Sequence, residues 1–225
     1  MEFCQYAPDS RRTACQTEWM ARPKNQAPRR QELIAVTSRL LVERGAAGTR
    51  LTDVAEAAGV TPAAVSYYYP NLVDLFADTY QTATEQYVTK RRELVEAVAG
   101  ASAQLVEFVR LGVPMEGTSS RAATVLLIEL SALESREERI AQFGAGFRRH
   151  QLDLVEEILT RGIASGEFAV SHPVPECAVL LLGIEDGFAA SVIAGWMSPQ
   201  DSVRLTLLLA EQLTGADFNA PAVAH

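Results

Sequence analysis

The chain has 225 residues, 48% of them apolar and 7% aromatic, which allows one or two domains with an apolar core and excludes a disordered chain. No uncharged apolar run of about 18 residues occurs, so a helical membrane span is excluded, and the start lacks the compact apolar stretch of a secretion signal. The net charge of −8 speaks against a polyanion partner until its distribution is read: residues 1–50 carry nine Lys/Arg against five Asp/Glu, and residues 93–225 carry eight against eighteen. A basic front and an acidic rear suggest a polyanion-binding module joined to something else, although ordinary charge fluctuation gives such a split too.

Residues 1–28 mix Pro, Arg, Gln, Ser and Thr without a period and read as a flexible basic arm. Such an arm touches phosphates or a minor groove, or is simply a leader, and the second reading is the simpler. From Gln31 the pattern turns helical: Leu33, Val36, Thr37, Leu40 and Leu41 share one face, and Gly45 and Gly48 stop the helix. Gly and Pro then punctuate the chain at Gly59, Pro70, Gly100, Gly112, Pro114, Gly117, Gly162, Gly166, Pro173, Pro175, Pro199 and Gly215. The segments between them predict about nine helices and no strand, hence an all-α fold. We divide the chain into the arm 1–28, a domain over 29–75, a helical domain over 76–215 and a tail over 216–225.

The stretch from Leu51 to Tyr69, LTDVAEAAGVTPAAVSYYY, predicts one helix from about Thr52 to Ala58 and a second from about Thr61 to Tyr69. Thr61 is placed to cap the second helix and Pro62 to open it, with Pro70 ending it. Two helices joined by a short glycine-containing turn are the helix-turn-helix design, or else a plain helical hairpin. Gly59 supplies the positive φ of the tight turn. Ala55 is small enough for close helix approach, while Val54, Ala58, Val60, Val65 and Tyr68 supply apolar contacts. Adding the preceding amphipathic helix and the Thr-Pro start favours DNA binding over the hairpin.

These residues also resemble a family. LIAVTSRLLVERG, GTRLTDVAEAAGV and TPAAVSYYYPNLVDLF together are similar, from about Arg30 to Phe76, to the DNA-binding domain of tetracycline-repressor (TetR) family regulators. The resemblance implies three N-terminal helices, the third reading the major groove. It also implies a C-terminal helical domain that dimerises and binds a small molecule. Two departures matter: Ser66 stands where members often have Tyr, and Leu72 where a phosphate-holding Lys is frequent, so that role is not carried over.

The expected DNA contacts follow. Pro62, Ala63, Ser66 and Tyr67 face outward from the third helix; none is Arg, Asn or Gln, so bidentate base contacts are scarce and DNA shape should carry much of the specificity. Arg50, Thr49 and Thr52 lie where the second helix starts, and the threonines serve capping or phosphate contact, readings of equal weight. Thr61, Tyr67, Tyr68 and Asn71 complete the set, with one tyrosine outward and the other inward. The partner is a double-stranded DNA operator.

A long helix over 71–92 should join this domain to the rear. There, segments 176–196 and 200–213 are apolar on most faces, which suits a homodimer paired through a four-helix bundle, or else a central core helix. Leu180, Gly183, Gly187, Ala190, Ala194, Leu205 and Leu208 are the expected interface. For a small organic effector, Tyr80, Tyr87, Phe108, Leu127, Glu129, Phe143, Phe147 and His150 are inward candidates, each of which also reads as ordinary core. Glu129 interrupts an apolar run and is the best polar candidate, or a solvated residue. Glu185 and Asp186 read first as interface or cap partners and second as a ligand anchor.

No catalytic fingerprint occurs, so the chain is not expected to be an enzyme, and no catalytic residue is assigned. His150, His172 and His225 lack metal-ligand spacing, as do Cys4, Cys15 and Cys177, so no metal and no cofactor is expected and the thiols read as reduced and cytoplasmic. The expected protein is a transcriptional regulator, a repressor released from its operator by an effector.

Overall fold

The computed structural model describes residues 26–116 and 119–218. Among the described residues the architecture is all-α, with nine helices in the order α1 (Gln26–Arg44), α2 (Leu51–Ala57), α3 (Pro62–Tyr68), α4 (Leu72–Glu96), α5 (Ala101–Gly112), α6 (Ser119–Ser131), α7 (Glu138–Ser165), α8 (Val174–Ile193) and α9 (Pro199–Thr214). The greater part of the basic arm, Cys4 and Cys15, and the end of the tail lie outside the described residues.

Helix α1 begins at Gln26, ahead of the expected Gln31, so the helical period extends into exposed polar residues that show no apolar stripe. Its buried face is the expected Leu33, Val36, Thr37, Leu40 and Leu41. Buried Thr37 is satisfied within the helix, its hydroxyl donating to the Leu33 carbonyl at 2.7 Å. Gly45, at φ 72°, turns the chain out of α1 in the left-handed region that favours glycine.

The helices α1, α2 and α3 close on a small core of Leu33, Val36, Leu40, Val54, Ala55, Val65 and Tyr69, to which α4 adds Leu75. Each fully buried aliphatic side chain there is worth about 1.5–3 kcal/mol. The long α4 then leaves this core and enters a second one, where its Phe76, Ala77 and Tyr80 meet Leu41 of α1, Leu126 and Leu130 of α6 and Ile140 of α7. Its far end supplies Val95 to a third core with Leu105 and Phe108 of α5, Leu154 and Ile158 of α7 and Leu181 of α8.

Gly162 was expected to break the chain but lies inside α7. A side chain there would run into the ring of Phe168, which packs on the helix after the turn at Gly166. The same turn carries Glu167, whose carboxylate accepts from the backbone N–H of Ser102 at 2.8 Å and of Ala101 at 3.1 Å. It thereby caps α5, and the Ser102 bond in particular brings the carboxyl down to about 2.

Candidate nucleic-acid interface and regulatory site

The helix-turn-helix forms as its residue types require. Gly59 takes φ 64°, and the next N–H, of Val60, donates to the Ala55 carbonyl at 2.9 Å. Ala55 is buried, so α3 approaches α2 closely. Thr61 caps α3, its hydroxyl accepting from the Ala64 N–H at 3.2 Å, and Pro62 opens the helix. Val65 points inward, while Pro62, Ala63, Ser66 and Tyr67 all lie exposed on the opposite side. Tyr67 is 62% exposed and Tyr68 half-buried against it, rings edge to face, which settles which tyrosine faces outward.

Around this face the expected contacts divide. Arg50 and Thr52 are exposed at the start of α2. Thr49 is not: it is 3% exposed and its hydroxyl donates to the Gly45 carbonyl at 2.8 Å, so it is turned away from any phosphate and instead closes the end of α1. Asn71 is exposed but occupied as the cap of α4, accepting from the Asp74 N–H at 2.8 Å. Leu72, the departure from the familiar lysine, is half-buried between the first and second cores.

An ion-pair hub ties these helices to the rear. The Asp78 carboxylate of α4 accepts from Arg30 of α1 at 3.1 Å, from the Tyr69 hydroxyl at 3.0 Å, and from Arg139 of α7. The Arg30 guanidinium also lies over the Tyr69 ring, 4.5 Å from its centre. Burial pushes the Tyr69 phenol up to about 12. A second tie is Glu129 of α6, whose carboxylate accepts from the Ala46 N–H at 2.8 Å, in the turn between α1 and α2. Glu129 was expected to anchor a ligand; its geometry makes it a cap across the two domains.

The other expected pocket residues do not share one cavity. Tyr80 belongs to the second core and donates its hydroxyl to Glu134 at 2.8 Å. Leu127 packs on that core, half-buried. Phe108 lies in the third core. Phe143, Phe147 and the exposed His150 line an outer groove of about 260 Å³ between α4 and α7, so His150 faces outward, not inward. Tyr87 meets the edge of Phe147, ring centres 5.6 Å apart, and burial pushes its phenol up to about 12.

The interior of the rear helices holds a pair of charges. Arg91 of α4 is 2% exposed and Glu185 of α8 6%. They pair end-on, Nη1 to Oε1 at 2.9 Å and Nη2 to Oε2 at 2.6 Å, with Nη2 also donating to the Phe108 carbonyl at 2.6 Å. The guanidinium stacks on the Phe108 ring at 3.5 Å. Burial opposes the charge on Arg91, but the Glu185 carboxylate more than offsets it and holds the pKa above its ordinary value. Glu185 is therefore neither an interface residue nor a helix cap. A side chain on Gly112 would collide with its carboxylate, so glycine at the end of α5 makes room for the pair. The spacing of Tyr80, Thr84, Tyr87, Arg91 and Val95 is the signal that places Arg91 on the inner face of α4.

On α8, Leu180, Gly183, Gly187, Ala190 and Ala194 are exposed, together with Val179 and, beyond the helix, Trp196 at 87%. In α9, Leu208 is 47% exposed and Leu205 half-buried. Cys177 faces the other way, buried in the third core, with its thiol pushed up by that burial.

Residues 33–79 match the model of the bacterial regulatory proteins, tetR family. The chain is 24% identical over 165 residues to the fatty acid metabolism regulator protein of Bacillus subtilis (strain 168), covering 72% of this chain and 82% of that one. Its fold is similar to a TetR transcription regulator from Haloarcula marismortui, with a TM-score of 0.73 at 20% identity over 84% of this chain and 99% of that one. It is likewise similar to a protein from Saccharomonospora viridis, described as a transcriptional regulator and solved in complex with choline, with a TM-score of 0.78 at 18% identity over 84% and 98% of the two chains. A matched DNA-binding segment at the helix-turn-helix, carried on a shared fold, leads to one assignment: residues 33–79 are a DNA-binding segment of the tetR type, and the chain is a DNA-binding transcriptional regulator.

Proposed function

We propose that the protein is a repressor that binds its operator as a homodimer and is released by a small organic effector held in the rear domain. The observation that carries this reading is the pairing of two outward faces on one rigid scaffold: the exposed side of α3, and the exposed apolar side of α8 and α9. Pairing the second with its copy buries Val179, Leu180 and Leu208 and uses Gly183 and Gly187, where an added side-chain carbon would meet open space. The first face is then presented twice, at a fixed spacing, to successive major grooves.

At the DNA, Pro62, Ala63, Ser66 and Tyr67 meet base edges and backbone, and Arg50 and Thr52 meet phosphate. Thr61 and Tyr68 act by setting the pose of α3, and Asn71 by setting that of α4. The effector acts through α4, which carries Leu75 in the first core, Tyr80 in the second and Arg91 in the rear. A ligand that binds better to one tilt of α4 shifts the spacing of the two α3 helices by its differential affinity. The work is done by binding, without catalysis, in the cytoplasm. The choline complex of the S. viridis protein supports a fold that holds small molecules.

The test is selection of genomic fragments by the purified protein, followed by a screen for compounds that release them, with light scattering on the free protein. A monomer that binds DNA without sequence preference, or an operator complex that no small molecule releases, overturns the reading.

A further inference from the structure

Two buried polar atoms of the rear domain have no hydrogen-bond partner among the described residues: the Nε–H of Arg91, a donor, and the Oε1 of Gln151, an acceptor. Both residues are 2% exposed. They lie at one level of the bundle. Helices α4 and α7 run side by side in the same direction, pinned by Arg139 on Asp78, Phe147 on Tyr87 and Arg92 on Glu157. Arg91 is one turn beyond Tyr87, and Gln151 one turn beyond Phe147. An unpaired buried donor and an unpaired buried acceptor are each costly, and together they ask for one group that accepts and donates.

The charge balance narrows that group further. Both terminal nitrogens of Arg91 are taken by Glu185 and the Phe108 carbonyl. An anionic ligand would have to displace Glu185 and leave a buried carboxylate unpaired, and a cationic one would meet the guanidinium. Room for a body lies next to this level: Phe147, which touches Tyr87, is also a wall of the 260 Å³ groove between α4 and α7.

We propose that the effector of the reading above, on which this inference rests, is an uncharged molecule whose hydroxyl or primary amide accepts from Arg91 Nε and donates to Gln151 Oε1, on an aromatic body beside Tyr87 and Phe147. Ligand binding then completes the polar interior of α4 and α7, so it favours the arrangement of these helices in which both atoms are reached by one group. That is the differential affinity the switch requires.

The test follows the Arg91 Nε–H and Gln151 side-chain amide signals of the full-length protein by NMR during titration with benzyl alcohol, benzamide, toluene, benzoate and benzylammonium. Benzyl alcohol and benzamide should move both signals and bind about tenfold more tightly than the other three, the gain of a satisfied buried pair. Gln151→Met should remove the gap between benzyl alcohol and toluene while leaving toluene binding and the helical circular dichroism unchanged. Tighter binding of benzoate or benzylammonium, no movement of either signal, or an unchanged gap in the variant overturns the proposal. Anisotropy on the selected operator separates the two ideas. Release by a charged compound that leaves both signals still defeats this ligand chemistry and keeps the regulator. Binding of the alcohol at both atoms with no release upholds the chemistry and defeats the effector reading.

Discussion

Removing the Asp78 carboxylate should loosen the DNA-binding helices while leaving the rear domain intact. Asp78 accepts from Arg30, Tyr69 and Arg139, the only carboxylate among the described residues bonded to α1, to the end of α3 and to α7 at once. The arginine side chains are 40% and 44% exposed, so each pair contributes well under about 1 kcal/mol after solvent screening. The hydroxyl bond to a charged acceptor, from a buried tyrosine, contributes about 1.5 kcal/mol. Asp78→Asn keeps size and shape and should cost about 2 kcal/mol in all. Hydrogen exchange is the assay, because local opening is read amide by amide. Protected amides of α1 to α3 should exchange about 30-fold faster, the equivalent of that loss, with those of α5 and α9 unchanged. A uniform acceleration across all helices, or none in α1 to α3, refutes the hub as the clamp on the DNA-binding domain.

Further outcomes are expected elsewhere. Thr61→Ala removes the cap of α3 and should cost about 1 kcal/mol, read as a weaker operator complex by anisotropy with the melting of the rear domain unchanged. Leu180→Arg places a charge in the exposed α8 face and should yield a folded monomer by light scattering, with operator affinity lost. Asp186 is exposed on α8, yet desolvation by the surrounding helices, with the neighbouring Glu185 second, raises its carboxyl from 3.8 to about 6. A raised carboxyl binds its proton more tightly folded than unfolded, so ionisation costs stability, a cost fully present above the folded value. Asp186→Asn should therefore raise Tm at neutral pH, with the gain fading as pH falls through about 6 and gone below 3.8. Glu167 runs in the opposite sense. Its stabilisation, present above 4.5, is lost as pH falls towards about 2, and Glu167→Gln should show that loss already at neutral pH in the melting curve.

The DNA-binding helices were legible because their signals are local. A cap at Thr61, a left-handed glycine at Gly59 and a small residue at Ala55 lie within seven positions and constrain one another. The exposed stripe of α8 was legible for the same reason, since its spacing lies within one helix. What escaped depends on partners far apart in the chain. Arg91 and Glu185 meet across 94 positions, and nothing near Glu185 announces a guanidinium. Glu129 looked like a ligand anchor because a carboxylate in an apolar run needs a donor; that donor is a backbone N–H 83 positions earlier. Thr49 was read as a phosphate contact or a cap, and only the fold of the turn shows its hydroxyl bent back to Gly45. His150 failed differently: it continues the face of Phe143 and Phe147, and the sequence does not say that this face of α7 opens to an outer groove at His150.

Helix α4 passes through all three cores without interruption. A fragment cut to the family's matched segment, 33–79, would therefore end inside a packed layer and not at a linker. Phe76 and Ala77 would lose their neighbours in α6 and α7, and such a piece should self-associate instead of behaving as a free-standing reader. The DNA-binding end of this molecule is thus inseparable from its rear end as material, because one continuous rod, with no loop between them, is packed into both.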